Sequence, residues 1–326
     1  MTQMQVRDVS LFVDVVGRGD PLLLMHGGPG ADHRTMGPFR QLADQRTLVF
    51  YDHRCNGRSE GTPVESMTWE NLTADADALR EALGFGRWAV LGHSFGGMVA
   101  LEYALRYPDR LSHLILLDTG AEGRWSITKA ARELARRGAS PHKVELVRRW
   151  FNGEFEPREM MGILIRIGDA YASEPSLLHT LRDMLGGQWR TKLRPEALIF
   201  AGRRLLPGWT VMNRLGEIDA PTLVIAGRDD FIFPPEHQRE LAAAIPNARL
   251  HLVDRAGHNA HSERRDEVMA VVGDFLRERR PPVATVAPCE PDGARPTTQP
   301  TGGRTHVESA RRGVWPPTGR DRSTPR

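Results

Sequence analysis

The chain has 326 residues, of which 40% are hydrophobic and 26% are charged. This length suits one large domain with an insertion or two small domains, and the composition is ordinary for a soluble globular protein. No apolar run reaches the roughly 18 residues of a membrane helix, and the N-terminus lacks a secretory signal pattern, so we expect no membrane association. The only cysteines, Cys55 and Cys289, exclude a disulfide framework and favour a cytoplasmic location.

The formal net charge of +3 is carried by the C-terminal end of the chain. Residues 281–326 contain 7 arginines against 4 acidic residues, so the preceding residues are neutral overall. A nucleic-acid-binding domain normally presents a basic face. We therefore expect no nucleic-acid partner.

Short apolar runs alternate with helical patterns along the chain. The runs predicted as strands are Leu11–Gly17, Pro21–Gly27, Arg46–Asp52, Trp88–His93, Leu111–Asp118, Thr222–Gly227 and Arg249–Asp254. The stretches predicted as helices are Trp69–Leu83, Phe95–Tyr107, Pro235–Ile245 and Glu263–Arg279. The later strands are apolar almost throughout, as in a parallel sheet covered on both faces. The pattern predicts an α/β fold with a mostly parallel sheet between helices.

One segment interrupts this alternation. Residues 121–215 contain no clear strand and show helical spacing in stretches such as "KVELVRRWF", so we predict a helical cap inserted into the core. The core is then formed by residues 1–120 and 216–280. The following segment, 281–326, is rich in Pro, Thr, Arg and Gly and cannot bury enough apolar surface to offset its ordering entropy. We predict a disordered tail there.

A serine lies between two glycines where a predicted strand meets a predicted helix. Ser94 is the centre of Gly92-His93-Ser94-Phe95-Gly96, which fits the pattern G-x-S-x-G. The glycines permit a tight turn that presents the serine hydroxyl at the end of the sheet, beside the positive end of a helix. The pentapeptide alone is a weak signal, but its place between a strand and a helix indicates a nucleophile.

A nucleophilic serine requires a base, and the base requires an orienting acid. On this architecture the order along the chain is serine, acid, histidine. The loop after the sixth predicted strand offers Asp229 and Asp230, and the loop after the seventh offers His258 and His261. Open α/β sheets place their sites at the carboxyl ends of the strands, so we expect these side chains near Ser94.

Five motifs follow one another along the chain. They are "HGGPG" (His26–Gly30), "YDHRCNGRSEG" (Tyr51–Gly61), "GHSFGG" (Gly92–Gly97), "GRDDFIFPPE" (Gly227–Glu236) and "AGHNAHSE" (Ala256–Glu263). Taken together and in this order they resemble those of the α/β-hydrolases and, within that superfamily, the prolyl-iminopeptidase branch. The resemblance covers about residues 6–280, and the motifs together are highly specific for the fold and the triad. The resemblance implies an α/β-hydrolase fold with a catalytic triad.

The resemblance also implies which acid and which histidine act. It selects Asp230 over Asp229, because the family places the acid four residues before a proline, here Pro234. It selects His258 as the base. It leaves His261 as a surface or supporting residue.

Acyl transfer also needs hydrogen-bond donors for the oxyanion, where two backbone amides can contribute several kcal/mol. One expected donor is the amide that follows the nucleophile, on Phe95. The resemblance assigns the other to Gly28, in the glycine loop after the strand beside the serine. The glycines of this loop have no side chain to block the substrate.

The loop Tyr51–Gly61 is predicted to be structural. We expect Asp52 and Arg54 to form a buried or capped pair and Gly57 to make a turn, while Cys55 stands where the family commonly has glycine. The histidines lack paired carboxylates at metal-ligand spacing, and no G-x-G-x-x-G fingerprint is present. We therefore expect no metal and no cofactor.

The insertion and the acid loop are predicted to line a cleft for a small-molecule substrate. Trp125, Trp150 and Trp189 of the insertion are candidates for its wall, together with Phe231 after the acid. The alternative is that the tryptophans form the core of the insertion itself. Both interpretations stay open, for different tryptophans.

The positions that bind the substrate α-amine in true prolyl iminopeptidases are acidic, late in the cap and after the catalytic acid. Here they carry Arg203, Arg204 and Phe231. We therefore predict a serine hydrolase that cleaves a small ester, lactone or amide through an acyl-enzyme. Proline iminopeptidase is the nearest alternative, and a ligand-binding receptor with a vestigial site is the alternative of another class. We make no prediction of oligomeric state.

Overall fold

A computed structural model of the chain describes residues 1–61, 63–174 and 191–278. Its centre is a sheet of eight strands in the order β1-β2-β4-β3-β5-β6-β7-β8. The strands are β1 (Thr2–Val6), β2 (Val9–Gly17), β3 (Pro21–Met25), β4 (Thr47–Tyr51), β5 (Trp88–His93), β6 (Leu111–Leu117), β7 (Thr222–Gly227) and β8 (Ala248–Val253). Strand β2 is antiparallel to β1 and β4, and all pairs from β4 to β8 are parallel. The predicted α/β fold with a mostly parallel sheet is confirmed.

The sheet is buried on both faces because its apolar side chains alternate between two clusters. In β3, Leu23 and Met25 belong to the cluster on one face, and Leu22 and Leu24 belong to the cluster on the other. Successive side chains of a strand point to opposite faces. An unbroken apolar run is therefore what a strand covered on both sides requires.

Helices cover both faces of the sheet. They are α1 (Trp69–Ala82), α2 (Phe95–Arg106), α3 (Ala130–Arg136), α4 (Pro141–Phe151), α5 (Met160–Ile167), α6 (Pro195–Phe200), α7 (Pro235–Ala244), α8 (Ala260–Glu263) and α9 (Arg265–Arg277). Shorter 3-10 turns span His33–Leu42, Val64–Ser66, Pro108–Arg110, Pro157–Glu159, Gly168–Tyr171 and Met212–Glu217, and π-helical turns span Trp125–Lys129 and Ala201–Leu205. Side chains of α1 and α2 pack in the cluster with Leu23, and side chains of α9 pack in the cluster with Leu22.

Two elements differ from the sequence prediction. The strand β1 was not predicted, because its sequence TQMQV is mostly polar and it pairs only with β2, at the edge of the sheet. The helix predicted over Glu263–Arg279 is instead the short helix α8 followed by α9. The break falls at Arg264, whose φ of −125° and ψ of 51° are not helical.

Between β6 and β7 the described residues are helical, from α3 to α6, and an isolated bridge joins Glu122 to Thr210 near the ends of this insertion. The segment 281–326, for which we predicted a tail, lies outside the described residues. None of the helices in the described ranges combines the length and the apolar character that crossing a membrane requires.

Candidate active site

Ser94 lies in a tight turn between the end of β5 and the start of α2. Its φ of 53° and ψ of −119° place it in a backbone region that residues with a side chain rarely adopt. The flanking glycines make this turn possible. A Cβ on Gly96 would lie 2.1 Å from the carbonyl oxygen of Met25, and a Cβ on Gly92 would lie 2.3 Å from the carbonyl oxygen of Gly96.

The structure brings Ser94, His258 and Asp230 together at the carboxyl edge of the sheet. The Nε2 atom of His258 lies 2.9 Å from the Ser94 hydroxyl oxygen, and its Nδ1 atom lies 2.9 Å from a carboxylate oxygen of Asp230. His258 and Asp230 are both buried. Because a carboxylate only accepts, Nδ1 carries the proton, and Nε2 is free to accept one from the serine hydroxyl.

The two candidate acids have different environments. The second oxygen of Asp230 accepts hydrogen bonds from the amides of Ile232 (2.7 Å) and Phe233 (3.2 Å), which orient the carboxylate toward His258. The carboxylate of Asp229 accepts instead from the hydroxyl of Ser173 in the insertion. Of the two predicted candidates, only Asp230 contacts the histidine.

The two predicted oxyanion donors, Phe95 and Gly28, belong to the segments that follow β5 and β3, two strands that pair in the sheet. Phe95 is the first residue of α2, and the first amides of a helix have no partner within the helix. Gly28 lies in the loop after β3, the strand that pairs with β5, and its φ of 62° suits glycine. Phe95 thus begins a helix and Gly28 lies in a loop, both at the carboxyl edge of the sheet, and their role as oxyanion donors stays a prediction.

The predicted wall residues have separate environments. Phe231 is buried against Tyr171, whose ring also contacts His258 with a centroid distance of 5.6 Å. Trp150 stacks on Phe155 and is buried within the insertion, as the core interpretation predicts.

The ring of Trp125 contacts that of His237 at a centroid distance of 4.2 Å and an interplanar angle of 39°. The ammonium of Lys129 lies 3.5 Å from the centroid of the Trp125 ring. Burial and the nearby cations Lys129 and Arg124 lower the pKa of His237 to about 3. Trp189 lies outside the described residues.

The two arginines late in the insertion are exposed. Arg203 donates to the carbonyl oxygen of Gly153, at 2.8 Å. Because both side chains are exposed and Arg203 binds a backbone oxygen, the two arginines do not by themselves determine the charge of the substrate.

The predicted pair of Asp52 and Arg54 is wrong. Arg54 is buried and donates instead to both oxygens of Asp75, at 2.7 and 2.6 Å. Asp52 accepts from the ring and the amide of His33, at 2.6 and 2.8 Å. Both side chains are structural, as predicted, but they bind residues far away in the sequence, which the spacing of the motif could not show.

A second buried polar cluster lies beside the triad. The ligand-type atoms of His93, Asp118 and His261 all lie within 4.8 Å of one another. The Nε2 atoms of His93 and His261 each lie 3.0 Å from a backbone carbonyl oxygen, so both carry the proton there and both Nδ1 atoms are left as acceptors. His261, assigned above to a surface or supporting position, is buried and supporting.

Histidine and aspartate side chains are of the types that bind metal ions, and the spacing of these residues along the sequence did not predict that they would meet. However, both oxygens of Asp118 already accept backbone amides, from Gly227 and Ala260, and Gly27 lies close to His93: a Cβ there would be 2.5 Å from its Nδ1. Burial and the nearby Asp230 raise the pKa of Asp118 well above its usual range.

Comparison with known families agrees with this arrangement. The family described as alpha/beta hydrolase fold matches residues 20–264. The chain belongs to the α/β-hydrolase fold family. This confirms the predicted fold and the prediction of a hydrolase.

Similar proteins are enzymes. The 2-hydroxy-6-oxo-6-phenylhexa-2,4-dienoate hydrolase of Comamonas testosteroni is 30% identical over 295 residues, which cover 86% of this chain and 95% of that protein. Proline iminopeptidase of Mycobacterium smegmatis is 26% identical with a TM-score of 0.65, covering 84% and 97%. An esterase of Exiguobacterium antarcticum shares the fold with a TM-score of 0.70 at 20% identity, covering 85% and 99%. The predicted resemblance to the prolyl-iminopeptidase branch is confirmed.

Proposed function

We propose that this α/β-fold hydrolase cleaves a small ester, lactone or amide through an acyl-enzyme on Ser94. The observation that supports it most directly is the continuous chain of hydrogen-bond distances from the Ser94 hydroxyl through His258 to Asp230, each 2.9 Å. Nucleophilic catalysis by serine requires this order of contacts.

Each residue has a defined role in the proposed reaction. His258 accepts the hydroxyl proton as the Ser94 oxygen attacks the substrate carbonyl, and it then donates that proton to the leaving group. Asp230 accepts from Nδ1 of His258 and stabilises the imidazolium that forms. The amides of Gly28 and Phe95 donate to the oxyanion, and water later releases the acyl group by the same steps.

The choice of substrate class rests on the surroundings of His258. The residue after the acid is the buried, apolar Phe231, where an amine-binding enzyme of this branch would carry an acidic residue. Glu154, Glu156, Glu174 and Glu196 of the insertion are exposed. The half-buried Glu133, which lines a cavity with Phe231, is already bound by Arg136 and Arg137. A substrate ammonium in a half-buried cleft needs a carboxylate partner, so a neutral acyl group is favoured.

A fluorophosphonate probe and a substrate panel test the proposal. The wild-type protein is expected to be labelled, and Ser94→Ala is expected to lose both labelling and turnover while it keeps its fold. In the panel, short p-nitrophenyl esters should exceed proline-β-naphthylamide by at least about tenfold in kcat/KM, or about 1.4 kcal/mol.

The panel should also include 2-hydroxy-6-oxo-6-phenylhexa-2,4-dienoate, because the Comamonas testosteroni relative is named for its hydrolysis. Faster turnover of the proline substrate than of every ester would make proline iminopeptidase the better assignment. Absence of labelling in a folded wild-type protein would leave a ligand-binding role instead.

A further inference from the structure

The insertion crosses the loop that carries His258 at very short range. The amide of His258 donates to the carbonyl oxygen of Tyr171 at 2.8 Å. At Gly257 the two backbones are so close that a Cβ would lie 2.4 Å from that same oxygen and 3.0 Å from the amide nitrogen of Ser173. Only glycine fits at position 257, and residues 171–173, here called the strap, therefore rest directly on the histidine loop.

One carboxylate joins the strap to this loop. The Oε1 atom of Glu263 accepts from the amide of Gly257, and its Oε2 atom accepts from the amide of Ser173, both at 2.8 Å. Glu263 is only 9% exposed. A single buried side chain thus binds the residue before His258 and the insertion at the same time.

The strap also reaches the loop of the acid. The hydroxyl of Ser173 donates to the Asp229 carboxylate. From another part of the insertion, the guanidinium of Arg137 donates to the backbone oxygens of Asp229 (2.6 Å) and Asp230 (3.1 Å). The insertion therefore contacts both loops that carry the partners of Ser94.

We infer that Glu263 is a positioning residue, through which docking of the strap sets the alignment of His258. The inference rests on the proposed function, because it concerns the same histidine. Without the carboxylate, two amides lose their acceptor, and a buried amide that is left without a partner is strongly unfavourable. The loop would shift to regain partners, and displacements near 1 Å at a catalytic group can reduce turnover about 100-fold.

The test compares Glu263→Ala with a matched control, Glu102→Ala. Glu102 is also buried, at 5% exposure, and its carboxylate also binds the insertion, accepting from the indole nitrogen of Trp209 at 2.7 Å. It lies in α2 and bonds to neither the histidine loop nor the acid loop in the described residues. The control therefore removes a buried contact between core and insertion without touching the triad partners.

Active sites are first counted by titration with a fluorophosphonate. Turnover of p-nitrophenyl acetate is then measured, and kcat is expressed per titrated site. For Glu263→Ala, kcat per site should fall at least tenfold. KM should change less than about threefold, because His258 serves both acylation and deacylation. For Glu102→Ala, kcat per site should stay within about twofold of wild type.

A merely structural role would give a different result. If Glu263→Ala lost only a fraction of its titratable sites while kcat per site stayed at the wild-type value, the inference would be overturned. A wild-type protein that is not labelled at all would instead overturn the proposed function, so the two failures are distinguishable.

A second pair of variants decides the matter if Glu263→Ala does not fold. Ser173→Pro removes the amide that Glu263 binds, and the residue before it, Ala172, has a φ of −103° and a ψ of 147°, which suit a position before proline. Ser173→Ala removes only the hydroxyl bond to Asp229. A lower kcat per site for Ser173→Pro than for Ser173→Ala supports the inference, and equal values overturn it.

Discussion

The strained turn at Ser94 gives a prediction that separates backbone energy from chemistry. Ser94→Gly and Ser94→Ala both remove the hydroxyl and its contact with His258. They differ in the Cβ atom, which Ala keeps and Gly lacks. At a φ of 53° and a ψ of −119° that Cβ is unfavourable, and glycine adopts this region without strain.

The expected difference follows from two opposing terms. A residue with a side chain in a sparsely populated backbone region costs about 1–3 kcal/mol. Glycine in turn makes the unfolded chain more flexible, which costs about 0.4–1 kcal/mol of stability. The net expectation is that Ser94→Gly is about 1 kcal/mol more stable than Ser94→Ala.

Urea denaturation of the two variants measures this difference, provided that both unfold in one reversible transition. A thermal scan should show a midpoint about 2–4 °C higher for the glycine variant. Neither variant should be labelled by a fluorophosphonate. If Ser94→Gly proved equal to or less stable than Ser94→Ala, the turn would not store the strain that its dihedral angles imply.

Further predictions concern the acid, a buried histidine and the packing of the turn. Asp230→Asn should lower kcat by about a thousandfold or more, and Asp229→Asn by less than about tenfold; the reverse order in steady-state assays would move the acid to Asp229. Burial lowers the pKa of His237 to about 3, so only the unfolded chain binds this proton between about pH 6.5 and pH 3. The free energy of unfolding should therefore decrease by about 1.4 kcal/mol for each unit by which the pH is lowered through this range. His237→Leu should flatten the pH dependence of urea unfolding by that slope, and an unchanged slope would contradict a neutral His237. Gly96→Ala should cost about 1–3 kcal/mol or more, whereas Gly37→Ala, where no atom lies within 4 Å of the added Cβ, should be nearly neutral in the same assay.

The parts of the fold that the sequence predicts are those with a strong local signal. An apolar run such as that of β7 must be covered on both faces, and the glycines two residues before and after Ser94 signal a turn in which a Cβ at either position would clash with the backbone. The edge strand β1 has no such signal. Its position is specified by pairing with β2, in a register from Thr2 opposite Val13 to Val6 opposite Val9, rather than by its own polarity.

The contacts that sequence reasoning missed are contacts between distant loops. His93 ends β5, Asp118 follows β6 and His261 lies in α8 after β8, and nothing in their spacing along the chain shows that their ring and carboxylate atoms come within 4.8 Å. Glu263 ends a motif and begins a predicted helix, and neither position in the sequence indicates its partners. Its bond to Ser173 joins residues 90 positions apart, and only a structure shows that this carboxylate lies between the histidine loop and the insertion.

The difference between a residue's position in the sequence and its surroundings in the structure also affects the prediction of the substrate. Sequence position placed Arg203 and Arg204 where an amine-binding enzyme would have acidic residues, but both side chains are exposed and Arg203 is occupied with a backbone oxygen. The other position, Phe231, is 1% exposed and packs against the ring of Tyr171 beside His258, so it offers an aromatic wall rather than a carboxylate. An aromatic wall offers an ammonium at most a modest attraction and no countercharge, so most of its lost hydration would remain uncompensated. A neutral acyl group has little hydration to lose, and for that reason we propose an ester or lactone rather than an N-terminal proline as the substrate of this site.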